Sequence, residues 1–141
     1  MGGMTMRGNE TATIVPKIGE TMFIQDNSIS APRITYYHKN IVLAYEGINY
    51  IDLIAKYDWD IDTMLYILSC ESSGNPKAVG DTNTKHHSYG VLQVRNLPER
   101  ELNIEDLFEP EYNIDYAYQL WQKQGYRAWH NCYMRYLSTI K

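Results

Sequence analysis

The chain has 141 residues, of which 44% are hydrophobic and 21% charged, enough for one domain with its own core and too few for two domains of ordinary size. Its formal net charge is −4, and its Lys and Arg residues do not cluster, which argues against a duplex nucleic acid as partner. No apolar run approaches the roughly 18 to 20 residues that span a bilayer. The amino-terminal sequence MGGMTMRGNETATIV also lacks the apolar centre of a secretory signal.

Residues 1–40 differ in pattern from the rest of the chain. They show weak apolar and polar alternation, contain two prolines and have no helical period. We predict an N-terminal arm with one or two short strands, ordered only where it finds a surface, followed by one mostly helical domain over residues 41–141.

Two helices are predicted at the start of this domain. Asn49 and Asp60 are placed to cap them, because both side chains accept hydrogen bonds from free backbone N–H groups. The second helix has the more regular apolar face, with the spacing 0, 3, 4, 7 at Ile61, Met64, Leu65 and Leu68. Glycine and proline then predict a loop over residues 74–88.

The second half of the domain is predicted to be mostly helical as well. YGVLQV at residues 89–94 favours a strand or another extended segment. Proline, asparagine and glycine signals then predict helices over residues 98–102, 103–108 and 110–124, and a last helix from about residue 131. The pattern predicts a mainly α fold with a short β or extended segment.

Glu71 is an ionisable residue at a position where the helical pattern predicts an apolar side chain. It lies three positions beyond Leu68, on the core-facing side of the predicted helix and at its carboxyl end. Burial and the negative end of the helix dipole both raise a carboxyl pKa. A carboxylic acid that stays protonated near neutral pH is what glycosidic bond cleavage requires as general acid. The alternative is a half-exposed glutamate in the last turn with no catalytic role.

The two cysteines, Cys70 and Cys132, have no metal-binding or redox spacing. They form either one disulfide, worth about 4 kcal/mol by loop closure, or two buried thiols. A rival hypothesis makes Cys70 a nucleophile with His86, His87 or His130 as its base. A position inside a helix argues against a lowered thiol pKa there. Because the adjacent histidines lack ligand spacing, we expect no metal and no cofactor.

Several segments together resemble a known family. The runs ESSGNPKAV, SYGVLQV and YNIDYAYQLW are similar, in order and spacing, to the lysozyme-like domain of lytic transglycosylases and goose-type lysozymes. YDWDIDTMLYILSCES and YRAWHNC are similar to a branch found in phage and bacterial cell-wall hydrolases. The resemblance covers about residues 48–134 and implies the α+β lysozyme-like fold, which is mainly helical.

The resemblance implies roles for individual residues. Glu71 becomes the general acid and afterwards the base. Gln93 matches the glutamine of the substrate groove, while Ser88 and Tyr89 precede a glycine turn that brings the backbone close to the sugar. Asn113 matches the asparagine of the later helix and would bind either substrate or the loop after Glu71. For Ser88, Tyr89 and Asn113 the alternative is a purely structural set of hydrogen bonds.

The resemblance also implies a disulfide and shows one departure near the acid. In that branch the cysteine beside the glutamate pairs with one after a tryptophan, which implies a bond between Cys70 and Cys132. Gly80 occupies the position where many members carry a serine, and Asp81 follows it. Asp81 is therefore a candidate second carboxylate that would orient water. The C-terminal Tyr-Asn-Ala-Gly motif of many transglycosylases is absent.

The substrate implied by the resemblance is peptidoglycan, cleaved at the β-1,4 bond between N-acetylmuramic acid and N-acetylglucosamine. Attack by the 6-hydroxyl of the muramic acid gives a 1,6-anhydro product, whereas attack by water gives hydrolysis. Such an activity is extracytoplasmic or belongs to a phage virion, with the arm as attachment to a virion or a secretion apparatus. The non-enzymatic alternative is an inactive glycan-binding or virion structural module.

Overall fold

The computed structural model describes residues 41–140 in full and, upstream, the backbone of two strands, β1 (Met22–Asp26) and β2 (Arg33–His38). The rest of the predicted arm lies outside the described residues. Among the residues described, no helix has the length and apolar character needed to cross a membrane.

The first sheet is antiparallel, with the strand order β1-β2-β3-β4, where β3 is Ile41–Tyr45 and β4 is Ile48–Asn49. The predicted short strands of the arm are thus present, and β2 pairs directly with β3, Tyr36 lying opposite Ala44. The expectation that the chain is helical from residue 41 was wrong for β3. Its three central residues are all buried, so the strand lacks the alternation that identifies a half-exposed strand.

The first two helices begin where the sequence predicts. In α1 (Tyr50–Ile54) the side chain of Asn49 accepts a hydrogen bond from the N–H of Asp52 at 3.2 Å. In α2 (Ile61–Ser72) Asp60 accepts one from Thr63 at 3.0 Å. Both predicted caps are therefore confirmed.

The core surrounds α2, which packs against β3, α1 and α5 (His130–Thr139). Met64, Ile67 and Leu68 are fully buried, whereas Ile61, expected on the core face, is 38% exposed. Ile61 is the first residue of the helix and lies at the edge of the core, so Ile67 fills the interior instead.

A second, small antiparallel sheet follows α2 and consists of β5 (Val79–Gly80), β6 (Ser88–Tyr89) and β7 (Val94–Arg95). The expectation of one extended segment over residues 89–94 was only half right. Residues 90–93 form a tight turn between β6 and β7 in which the N–H of Gln93 donates to the carbonyl of Gly90 at 3.1 Å. Gly90 has φ +82°, so the chain reverses where a strand would continue.

The remaining elements are helical, as predicted, with small differences in their ends. The segment at residues 98–102 is a 3-10 helix that ends at residue 100, and the last helix begins at residue 130 after a second 3-10 helix. Their bounds are Pro98–Arg100 (3-10), Ile104–Leu107 (α3), Pro110–Gln124 (α4), Gly125–Trp129 (3-10) and His130–Thr139 (α5). The predicted fold class, mainly α with a small β component, is confirmed.

A disulfide joins Cys70 on α2 to Cys132 on α5, with a Cα–Cα distance of 5.8 Å. It fixes the carboxyl end of α2, which carries Glu71, against the first turn of α5. Both sulfur atoms are used, so the hypothesis of a Cys70 nucleophile is wrong.

Candidate active site

A cleft of about 490 Å³ runs between the small sheet and the segment that joins α4 to α5. It brings together four of the predicted site residues, Glu71, Asp81, Ser88 and Gln93, and also His130, considered from the sequence as a base for Cys70. Its lining consists of Glu71, Asp81, Ser88, Gln93, Arg95, Leu97, Arg100, Leu120, Gln124, Arg127, Ala128, Trp129, His130 and Asn131.

Glu71 lies in the last turn of α2 and is mostly buried at the cleft wall. Burial first, and then the negative charge of Asp81, raise the pKa of its carboxyl to about 7, against the opposing positive charge of Arg135 on α5. The direction is the one that the sequence predicts, and burial, one of the two causes expected from the sequence, is the largest cause in the structure. A substantial fraction of Glu71 therefore keeps its proton near neutral pH.

The pKa of Asp81 is shifted in the opposite direction, to below its ordinary value. Its Oδ2 accepts a short hydrogen bond from the hydroxyl of Ser88 and forms an ion pair with Arg95 at 3.1 Å. These contacts, the Ser88 hydrogen bond first, hold the pKa of Asp81 below its ordinary value. Asp81 is thus ionised at the pH at which Glu71 is still partly protonated.

Gln93 reaches the cleft from the turn between β6 and β7. Its Nε2 donates to the carbonyl oxygens of Gly90 at 2.9 Å and Ala78 at 3.2 Å, which fixes the side chain across the small sheet. Its Oε1 occupies the space where a Cβ on Gly80 would lie. A side chain at position 80 would therefore clash with Gln93, which explains why this chain has Gly80 where the resemblance leads us to expect serine.

Asn113 and Tyr89 are not brought into the cleft. Asn113 is fully buried on α4, where its Oδ1 accepts from the N–H of Leu92 at 2.9 Å. Its Nδ2 donates to the carbonyls of Tyr89 at 2.8 Å and Leu107 at 2.9 Å. The Tyr89 ring packs edge-on against Phe108, with 5.8 Å between ring centroids. Asn113 therefore bonds to the backbone just before the β6–β7 turn and within it, and the Tyr89 ring packs on Phe108.

Sequence reasoning missed the basic residues of the cleft. Arg95, Arg100, Arg127 and His130 all line it. Arg127 and His130 lie in the quoted run YRAWHNC, but no role in binding substrate was assigned to either, and no quoted run contains Arg95 or Arg100. These four residues come from separate segments of the chain, so a search for clustered basic residues along the sequence finds nothing. Within residues 41–140 there is no group of three or more His, Cys, Asp or Glu side chains that could hold a metal ion.

Comparison with known proteins agrees with this geometry. A family model described as a lysozyme-like domain matches residues 57–131. The chain belongs to the lysozyme-like domain family. No curated protein and no solved structure matches it. The matched segment of the lysozyme-like domain contains α2, the small sheet, α4 and all of the residues that line the cleft, and it lies inside the range of the sequence resemblance. Membership relates the chain to peptidoglycan-directed glycosidases and transglycosylases, which act outside the cytoplasm.

Proposed function

We propose that this lysozyme-like domain cleaves the β-1,4 bond between N-acetylmuramic acid and N-acetylglucosamine in peptidoglycan, with Glu71 as the general acid. One observation carries the proposal: the Glu71 carboxyl lies on the cleft wall with its pKa raised to about 7. Glycosidic bond cleavage needs an acid that holds a proton at working pH and can give it to the leaving oxygen.

In the proposed mechanism, Glu71 donates its proton to the glycosidic oxygen as the bond to the muramic C1 breaks. Positive charge then develops on the sugar ring. The ionised carboxylate of Asp81, in the same cleft, favours that charge, and Arg135 favours the Glu71 carboxylate that proton donation leaves behind. Glu71 then acts as the base for the second half of the reaction.

Two nucleophiles are compatible with this proposal. If the muramic 6-hydroxyl attacks C1, its proton passes to Glu71 and the product is a 1,6-anhydro sugar. If water attacks, its proton passes to the same carboxylate, and Asp81 is the residue proposed to orient the water molecule. Ser88 and Arg95 hold the Asp81 carboxylate at the cleft, which supports a positioning role for it.

Peptidoglycan lies outside the cytoplasmic membrane, so the proposed activity requires export or delivery. Attachment of the arm at residues 1–40 to a virion or a secretion apparatus is the route we propose. The pairing of β2 with β3 supports a direct mechanical link between the arm and the cleft-bearing part of the chain.

The test is mass spectrometry of the soluble products formed from purified peptidoglycan by the wild type and by Glu71→Gln. Glu99→Gln, at an exposed position on the 3-10 helix, is the matched control. The proposal is supported if the wild type and the control each release at least about a hundredfold more muropeptide than Glu71→Gln does. Products one water lighter than hydrolysed fragments identify the transglycosylase. An inert wild type that still binds peptidoglycan would overturn cleavage in favour of the glycan-binding module.

A further inference from the structure

The cleft has a charge opposite to that of the chain as a whole. The chain carries a formal net charge of −4, yet Arg95, Arg100 and Arg127 line the cleft together. The opposing carboxyls among the lining residues are Asp81, which is ionised, and Glu71, which keeps its proton up to a pKa of about 7. Three arginines against at most two carboxylates give the cleft lining a surplus of positive charge, which is larger while Glu71 keeps its proton.

Not every arginine of the cleft is available to a ligand. Arg95 is already paired with Asp81 at 3.1 Å. Arg100 donates through Nη1 to the backbone carbonyl of Arg95 at 2.9 Å, and Arg127 donates through Nε to the carbonyl of Gln124 at 3.2 Å. In the part of the chain that the structure describes, neither Arg100 nor Arg127 forms an ion pair with a carboxylate.

These hydrogen bonds to backbone carbonyls restrain the side chains of Arg100 and Arg127 and leave their positive charges unpaired with any carboxylate that the structure describes. Each guanidinium has five N–H donors, and one is used here, so both can still make the paired hydrogen bonds that a carboxylate accepts. Arg100 closes one 3-10 helix and Arg127 belongs to the other, so the two charges come from separate segments of the lining. The first residues of α5, His130 and Asn131, line the same cleft, and the positive end of a helix dipole adds to an anion-favouring field.

We propose that Arg100 and Arg127 bind a carboxylate carried by the substituent on the muramic acid, and so select muramic-acid glycans over polymers of N-acetylglucosamine alone. This inference rests on the proposed function, since it assumes that peptidoglycan glycan occupies the cleft. Two parts of the muramic acid substituent could supply this carboxylate. It is the free lactyl group where no peptide is attached, or a carboxylate of the stem peptide where one is.

The experiment measures binding on Glu71→Gln protein, so that the ligand is not consumed. Three tetrasaccharides of equal length are titrated by calorimetry: one with free lactyl groups, one with stem peptides, and chitotetraose, which has no carboxylate. We expect at least one carboxylate-bearing ligand to bind about tenfold or more tightly than chitotetraose, with a preference that falls as salt rises. The ligand with the larger preference identifies the source of the carboxylate.

Replacing both arginines in that background, Arg100→Gln with Arg127→Gln, removes the preference and leaves chitotetraose binding unchanged. Lys56→Gln, which removes a positive charge outside the cleft, leaves the preference intact. Because Arg100 also bonds to the backbone, a second variant, Arg100→Lys with Arg127→Lys, keeps both charges and is expected to retain part of the preference.

Equal binding of all three ligands, no binding of any of them, or a preference that survives in the double glutamine variant would overturn the assignment. Cleavage is not needed for any of these readouts. A wild type that binds with the expected preference but releases no products would overturn the proposed activity and leave this anion subsite standing.

Discussion

Glu71 and Asp81 line one cleft and have carboxyl pKa values displaced in opposite directions. Glu71 is mostly buried at the end of α2, and its pKa rises to about 7. Asp81 is exposed and bound by Ser88 and Arg95, so its pKa falls. The two side chains differ by one methylene, and their environments give them different protonation states at the same pH.

The coupling between these carboxyls predicts how pH controls cleavage. Activity should fall as pH rises through about 7, because Glu71 then loses the proton that it must donate. Asp81→Asn removes a charge that raises this pKa, so the alkaline limb should move to lower pH by about half a unit or more. Arg135→Gln removes a charge that lowers it, so the limb should move to higher pH.

The measurement is kcat/KM against pH for the three proteins. The opposite signs make each variant the control for the other, because a general loss of structure would not displace the limb in two directions. Limbs that coincide in all three would contradict the assignment of Glu71 as the titrating acid.

Glu71 should also make stability depend on pH. Its pKa is about 7 in the folded chain against an ordinary value of 4.5 for a glutamate in water, so the folded state binds the proton more tightly. This contribution is fully present below pH 4.5 and is lost as pH rises through 7, up to about 3 kcal/mol. Glu71→Gln does not titrate, so its free energy of unfolding, relative to wild type, should improve between pH 4 and pH 8.

Urea unfolding at both pH values measures this difference, and Glu99→Gln, at an exposed position, is the control in which it should be small. Parallel pH dependences for wild type and Glu71→Gln would show that burial does not raise the pKa.

The Cys70–Cys132 disulfide closes a loop of 62 positions and should contribute about 4 kcal/mol to stability by restricting the unfolded chain. We expect Cys70→Ala with Cys132→Ala to lose that amount in urea unfolding. Cleavage should fall too, because the bond fixes the turn that carries Glu71 against α5. Wild type under reducing conditions should match the variant, and an oxidised wild type no more stable than the variant would refute a structural role for the bond.

Asn113 should behave as a structural residue. Asn113→Ala leaves the N–H of Leu92 and the carbonyls of Tyr89 and Leu107 without their partner in a buried site. We expect a loss of about 3 kcal/mol or more. Gln119→Ala, at an exposed position on the same helix, should cost little. Unchanged stability with a raised KM for glycan would instead indicate direct contact with substrate.

Gly80→Ser, which introduces the residue that many relatives carry, should be unfavourable here. Its side chain would displace Oε1 of Gln93 and break the Nε2 bonds to Ala78 and Gly90, at a cost of about 1 to 2 kcal/mol. A double-mutant cycle with Gln93→Ala tests this reason. If the serine costs as much without Gln93 as with it, the cause lies elsewhere.

Local sequence signals predicted the elements that depend on neighbouring residues. Asn49 and Asp60 cap helices because the cap and the N–H groups that it binds lie within three residues of each other. The expected burial of Glu71 followed from the period of α2. The strand β3 was missed because its central residues are all buried by distant parts of the chain, which removes the alternation.

By itself, the sequence determined the fold class, the caps and ends of most helices, the family resemblance and the carboxylate at the end of α2. The tertiary structure confirmed the bond between Cys70 and Cys132, which the resemblance implied and the cysteine spacing left open. Only the tertiary structure decided that all the hydrogen bonds of the Asn113 side chain go to backbone groups, and that scattered arginines share the cleft with Glu71. The first set depends on interactions over a few residues of chain. The second depends on contacts between segments up to about 60 residues apart, for which the local sequence pattern holds no signal.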